Sequence, residues 1–165
     1  MKKSLLLLVL CSMLFLCVEE GGKGACEGSS GISCSGSISK DGTVSLSVQT
    51  PSKGPEPPPE LKNVYQFEIK NPKVSKAILK ECEVTGKLWS CHGSTQCSVL
   101  SEKPIKLKCP VSKGNYCVSV YFVEDVTAPW DKTPWGNCQS AGCDEDKKVC
   151  SWTCEVGSVT LCQSI

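Results

Sequence analysis

The residue type with the most chemistry in this chain is cysteine. Fourteen of its 165 residues are cysteine. Twelve of them follow an N-terminal apolar stretch: Cys26, Cys34, Cys82, Cys91, Cys97, Cys109, Cys117, Cys138, Cys143, Cys150, Cys154 and Cys162. An even set at this density in a secreted chain is a disulfide framework, and the spacing alone leaves its connectivity open. Zinc is the rival use of clustered cysteine. No paired Cys-x2-Cys is present, and His92 is the one histidine, so no metal is expected. The same scarcity leaves a Ser-His or Cys-His dyad no alternative base. Acidic residues are scattered among predicted strands, with nothing to set two across a cleft. The expectation is a non-enzymatic protein without a cofactor.

The second candidate is aromatic. Ala128-Pro129-Trp130-Asp131-Lys132-Thr133-Pro134-Trp135 repeats a small residue, a proline and a tryptophan between Cys117 and Cys138. Two tryptophans on a proline-stiffened loop offer large contact area at low entropic cost. Trp130, Asp131, Lys132 and Trp135 are the expected contact surface. The alternative is that both rings fold back over a small core. Asp144-Glu145-Asp146 before Lys147-Lys148 lacks the glycine and terminal glutamate of a calcium loop and reads as a solvated turn. His92 reads as a surface residue beside Cys91.

Strands must position these residues. Val44, Leu46 and Val48 alternate with polar neighbours, as do Tyr65, Phe67 and Ile69, then Ile105, Leu107 and Cys109. Tyr116, Val118, Val120 and Phe122 form another such row, and so do Cys150, Trp152, Cys154 and Val156. A period of two puts one row in a core and the other in water. Weaker strands read at 32–39 and 158–162. Lys40-Asp41-Gly42 predicts a hairpin turn, and Lys113-Gly114-Asn115 a turn before Tyr116. One short helix is a candidate near 72–82, with Asn71 as its cap, Pro72 at its first position, and Val74, Ile78 and Cys82 four apart. The fold class is all-β: disulfide-rich antiparallel β, sandwich-like or three-finger.

The chain carries a formal net charge of +1. Lys2 and Lys3 precede the apolar run from Leu5 to Val18, which is too short to span a bilayer and has the pattern of a secretory signal. Cleavage is expected before Ala25, giving a signal peptide over 1–24. Lysines and acids then balance, so no basic excess exists to neutralise phosphates, and nucleic acid is not an expected partner. Every basic residue except His92 is lysine, so no arginine fork serves bidentate recognition. No second apolar run exists for a membrane span. The expected organisation of 25–165 is one domain: an N-terminal hairpin over 25–50, a proline-rich connector over 51–60, and a cysteine-rich part over 61–165. The hairpin piece is too short for its own core.

Ten cysteines over 82–162, with the steps Lys108-Cys109-Pro110, Asn115-Tyr116-Cys117 and Gly136-Asn137-Cys138, resemble the three-finger family of snake neurotoxins and urokinase-receptor-type domains. That resemblance implies the pairs Cys82–Cys117, Cys91–Cys97, Cys109–Cys138, Cys143–Cys150 and Cys154–Cys162, leaving Cys26 with Cys34. Lys113 to Val120 resembles the tyrosine-bearing strand of fibronectin-type sandwiches, in which the aromatic pins a corner. Cys91 to Cys97 and Lys108 to Gly114 resemble two segments of the ML lipid-recognition family. The leading expectation is a secreted, extracellular, monomeric binding protein, a venom-type toxin or secreted effector, acting on an extracellular receptor or channel protein. The other is a carrier of a lipid or apolar ligand in a β-sandwich.

Overall fold

A computed structural model describes residues 24–85 and 88–165. The signal segment before Gly24 lies outside the described residues, and so does the side chain of His92. The chain is all-β. Its strands are β1 (Ala25–Gly28), β2 (Ser33–Ile38), β3 (Thr43–Gln49), β4 (Val64–Tyr65), β5 (Lys73–Thr85) and β6 (Leu88–Gln96). They continue with β7 (Ser98–Glu102), β8 (Ile105–Lys108), β9 (Asn115–Pro129), β10 (Thr133–Pro134), β11 (Asn137–Asp144) and β12 (Val149–Ser164).

Two antiparallel sheets face each other. The larger runs β1-β12-β9-β5-β6, with β11 beside the first half of β12, and the smaller runs β2-β3-β8-β7. The predicted alternation explains the pairing of faces. Ile38, Val44, Leu46 and Leu107 point inward from the small sheet. Ala77, Leu79, Val118, Val120, Phe122, Val159 and Leu161 meet them from the large one. Burial of these two apolar rows is the main driving force holding the layers together.

The β2–β3 hairpin turns where Lys40-Asp41-Gly42 predicts. Gly42 has φ of 83°, and a side chain there would run into the Cys109 carbonyl. Asp41 accepts hydrogen bonds from the Thr43 amide (3.0 Å) and hydroxyl (2.9 Å), and from the Lys108 ammonium (2.8 Å). Lys108 foremost, then Ser39 and Thr43, hold its carboxyl well below the usual carboxylate range. The Tyr116 ring is buried, and its hydroxyl accepts the Ser112 amide (3.1 Å) and bonds the Ser112 hydroxyl (2.6 Å). This pins the turn before β9.

The short helix expected near 72–82 is strand β5 instead. It lies between β9 and β6 in the middle of the large sheet, and bulges between Val74 and Lys76 and between Leu79 and Glu81 break its alternation. Antiparallel pairing with β9 over 73–81 and with β6 over 78–85 supplies backbone partners along the whole strand, which outweighs the local helix signal.

Six disulfides are formed. Cys26–Cys34 and Cys143–Cys150 are as the cysteine order implied. The other four implied pairs are replaced by Cys82–Cys91, Cys97–Cys109, Cys117–Cys162 and Cys138–Cys154. Strand order is the cause. β12 inserts between β1 and β9, which puts Cys162 directly opposite Cys117. Cys82 faces Cys91, Cys138 faces Cys154, and Cys143 faces Cys150 in the same way. The remaining two bridges seal the seams between sheets. Cys26 and Cys34 join edge strands β1 and β2, while Cys97 and Cys109 close the place where the chain steps from β6 to β7. The Gln163 side-chain amide reinforces the first seam, accepting from the Ile38 amide (2.7 Å) and donating to its carbonyl (3.0 Å).

Past Phe122, β9 and β12 continue with β11 as an extension that the small sheet does not face. Residues 51–69 cover its inner side. Phe67 and Ile69 are buried there with Val126, Cys154 and Val156, and the Gly54 amide donates to the Phe67 carbonyl (2.6 Å). The proline-rich connector is thus part of a packed lid over the extension.

Candidate binding loop

The extension carries the tryptophan loop. β9 ends at Pro129, and a tight turn follows, closed by the Lys132 amide donating to the Pro129 carbonyl (2.9 Å). Thr133 and Pro134 then pair in parallel with Val64 and Tyr65 as the two-residue strands β10 and β4. The Thr133 amide donates to Asn63 (3.3 Å), and the Trp135 amide to Tyr65 (3.2 Å). Cys138, three residues on, is bridged to Cys154 on β12. Covalent and backbone bonds therefore fix both legs of the loop.

This frame separates the four expected contact residues. Trp130 is 66 % exposed and Asp131 is exposed, while Lys132 and Trp135 are half-buried and Pro134 is buried. Trp130 stands on the surface, and Trp135 turns partly back against the fold. Each alternative reading of the loop describes one of the two rings.

A second turn stands beside the first. The Trp130 amide donates to the Lys148 carbonyl (3.0 Å), which ties the loop to the turn between β11 and β12. Cys143–Cys150 closes the base of that turn. Asp144 accepts the Lys147 amide (3.1 Å) and pairs with its ammonium (2.9 Å), and Lys147 holds its carboxyl below the ordinary value of 3.8. The carboxylate most able to start a cation site is thereby engaged by a lysine of its own turn. Together the two turns form one tip, on which exposed Trp130 and Asp131 sit beside exposed Glu145, Asp146, Lys147 and Lys148. The sequence separates these halves by a whole strand, so only the register of β9 with β12, which sets Val149 opposite Pro129, reveals their adjacency.

A groove opens at the other junction of the sheets. It encloses about 420 Å³ over an apolar floor of Leu46, Val48, Ile105 and Phe122. Lys70, Asn71, Glu102 and Lys103 stand among its polar walls. Asn71 accepts from Lys103 (2.8 Å) and donates its amide to the Glu124 carboxylate (3.1 Å). Desolvation by burial pushes the Glu124 carboxyl up despite that bond. No sequence signal marked this groove, because its walls come from four separate stretches of chain.

Among the described residues one cluster has sulfurs at metal-binding distance, namely Cys82, Cys117 and Cys162. All three are in disulfides and present no thiolate to an ion. No described helix is long and apolar enough to cross a membrane. No family model, curated protein or solved structure matches the chain.

Proposed function

We propose that this is a secreted, non-enzymatic binding protein, a toxin or effector, that engages an extracellular receptor or channel protein through the paired tip at 129–135 and 144–148. The observation that carries this reading is Trp130, a tryptophan two-thirds exposed on a loop whose backbone is already fixed. A large aromatic surface that needs no ordering on contact is what a binding hot spot requires. Six disulfides suit an oxidising extracellular setting. The protein acts as a monomer.

The test is a screen of labelled protein against displayed extracellular receptors and channels. Each hit is then re-measured with Trp130→Ala. Loss of the hit, with the six disulfides and the monomer retained, supports the tip as the contact. Undiminished binding by the variant refutes it. The half-buried position of Trp135 makes the single Trp130 variant cleaner than a double one.

The groove favours a second reading, a carrier of an apolar or amphipathic ligand. Phe122, Leu107, Val118 and Leu161 are essentially inaccessible and already fill the space between the sheets. A ligand would therefore sit at the mouth, with its apolar part on the half-buried Val48 and Ile105 and an anionic end near Lys70 and Lys103. Native mass spectrometry of protein purified from cells distinguishes the two. A bound apolar mass favours the carrier, and bare protein counts against it.

A further inference from the structure

We propose that Cys91, Cys82, Cys117 and Cys162 form a thiol-exchange site, in which a small soluble thiol opens Cys82–Cys91 and the break is passed to Cys117–Cys162. Nothing in the binding-tip reading requires this site.

The placement comes from strand register. Cys91 and Cys82 are opposite each other on β6 and β5, and Cys117 and Cys162 on β9 and β12. β5 is the direct neighbour of β9. Two disulfides therefore lie side by side across four adjacent strands. The sulfurs of Cys82, Cys117 and Cys162 all lie within 4.8 Å of one another. These three residues are buried, whereas Cys91 is exposed. A cavity of about 140 Å³ reaches all four cysteines, and Ala25, Glu27 and Thr160 complete its wall. That volume suits a thiol the size of cysteamine or free cysteine, not a tripeptide. Glu27 disfavours an anionic one.

The chemistry balances without a further reagent. The incoming thiolate attacks the Cys91 sulfur and forms a mixed disulfide. The Cys82–Cys91 bond breaks, and its electron pair leaves on Cys82 as a thiolate. Cys82 then attacks the Cys117 sulfur, forming Cys82–Cys117 and expelling Cys162 as a thiolate. One thiolate enters and one is released. Attack at Cys117 rather than Cys162 follows from reach. Lys80 pairs with Cys117, so Cys82 is its diagonal neighbour on the adjacent strand, at roughly 7–8 Å between backbones, and with the two sulfurs already within 4.8 Å a bridge there needs the strands to close by about 1 Å. Cys162 lies one strand further with the same two-residue offset, at roughly 12 Å, whereas a disulfide spans up to about 7 Å. The exchange thus moves a covalent link from β9–β12 to β5–β9 and leaves Cys162 free.

The experiment treats the oxidised full chain with cysteamine, quenches with acid and maleimide, and maps the peptides by mass spectrometry. The expected products are a cysteamine adduct on Cys91, a Cys82–Cys117 linked peptide, and maleimide on Cys162 at roughly ten times its occupancy on Cys82. An adduct on Cys91 with free Cys82 and intact Cys117–Cys162 overturns the proposal, and so does the absence of any Cys91 adduct. Cys91→Ala gives an independent arm, because it leaves Cys82 unpaired without any reductant. The purified variant should carry Cys82–Cys117 and a free thiol at Cys162. A free Cys82 beside intact Cys117–Cys162 overturns the proposal again. A variant that fails to fold leaves the cysteamine arm to decide.

Discussion

Phe122→Ala should cost about 3 kcal/mol of folding stability. Phe122 is fully buried on β9, opposite Val74 on β5 and Gly157 on β12, and its ring also floors the groove at the sandwich mouth. Truncation to alanine removes roughly 120 Å² of apolar burial, which at about 25 cal/mol per Å² is about 3 kcal/mol. A sealed site would add a cavity cost, taking Phe→Ala losses toward about 5 kcal/mol. Here one wall is an open groove, so water can enter the vacated space, and the loss stays near the lower figure. The midpoint of thermal unfolding should fall by roughly 6–12 °C. The assay is urea unfolding without reductant, followed by tryptophan fluorescence and near-ultraviolet circular dichroism. The enlarged groove should also admit a small aromatic such as indole, which at ten times its Kd would restore about 1.4 kcal/mol. A loss below about 1 kcal/mol would refute the placement of Phe122 at the centre of the core.

Other outcomes follow from the same structure. Tyr116→Phe removes the hydroxyl that accepts the Ser112 amide and should cost about 1 kcal/mol in urea unfolding, since Ser112 is exposed and water can replace part of the bond. Asp41, Asp125 and Asp144 all titrate below their ordinary value of 3.8, through Lys108, Lys73 and Lys147 respectively. Their stabilisation is complete above that value and is lost as pH falls through their folded-state values, so thermal stability should drop below about pH 4. Asp41→Asn should flatten that drop, and high salt should weaken it, because these pairs are exposed. Glu124 titrates above its ordinary 4.5, so its part has the opposite sign, with stability rising as it protonates.

The strands legible in the sequence were those with one wet face. In 105–109, Leu107 and Cys109 are buried while Lys106 and Lys108 stand exposed, and the period reads directly. β5 resembles a helix in sequence because spacings of four fit both a helix and a strand, since four is also twice two. Its two bulges hide the alternation that would have decided the matter. β11 carries almost no apolar signal in Asn137-Cys138-Gln139-Ser140-Ala141-Gly142-Cys143-Asp144. It is an edge strand held to β12 by two disulfides rather than by burial. Cysteine pairing was hidden for a related reason. It depends on which strands become neighbours, and the insertion of β12 between β1 and β9 is a fact of topology that no local spacing encodes. Of the tip, the sequence marked the tryptophans. It could not say which ring stays outside, because the leg that carries Trp135 is set by backbone pairing with the distant segment 63–65.

The Cys117–Cys162 bridge has a mechanical consequence. It joins positions 45 residues apart in sequence, across strands already in register. If the two ends of the chain were pulled apart, the load would pass from sulfur to sulfur and bypass everything between them. Roughly 150 Å of contour, including Trp130 and both turns of the tip, would never come under tension. A single molecule stretched without reductant would be shorter than its length implies by that amount and by the smaller loops closed at Cys26–Cys34, Cys82–Cys91 and Cys97–Cys109, with the tip still folded. Reducing this one bond would hand the load to 118–137, Trp130 included, while Cys138–Cys154 kept the turn between β11 and β12 out of it.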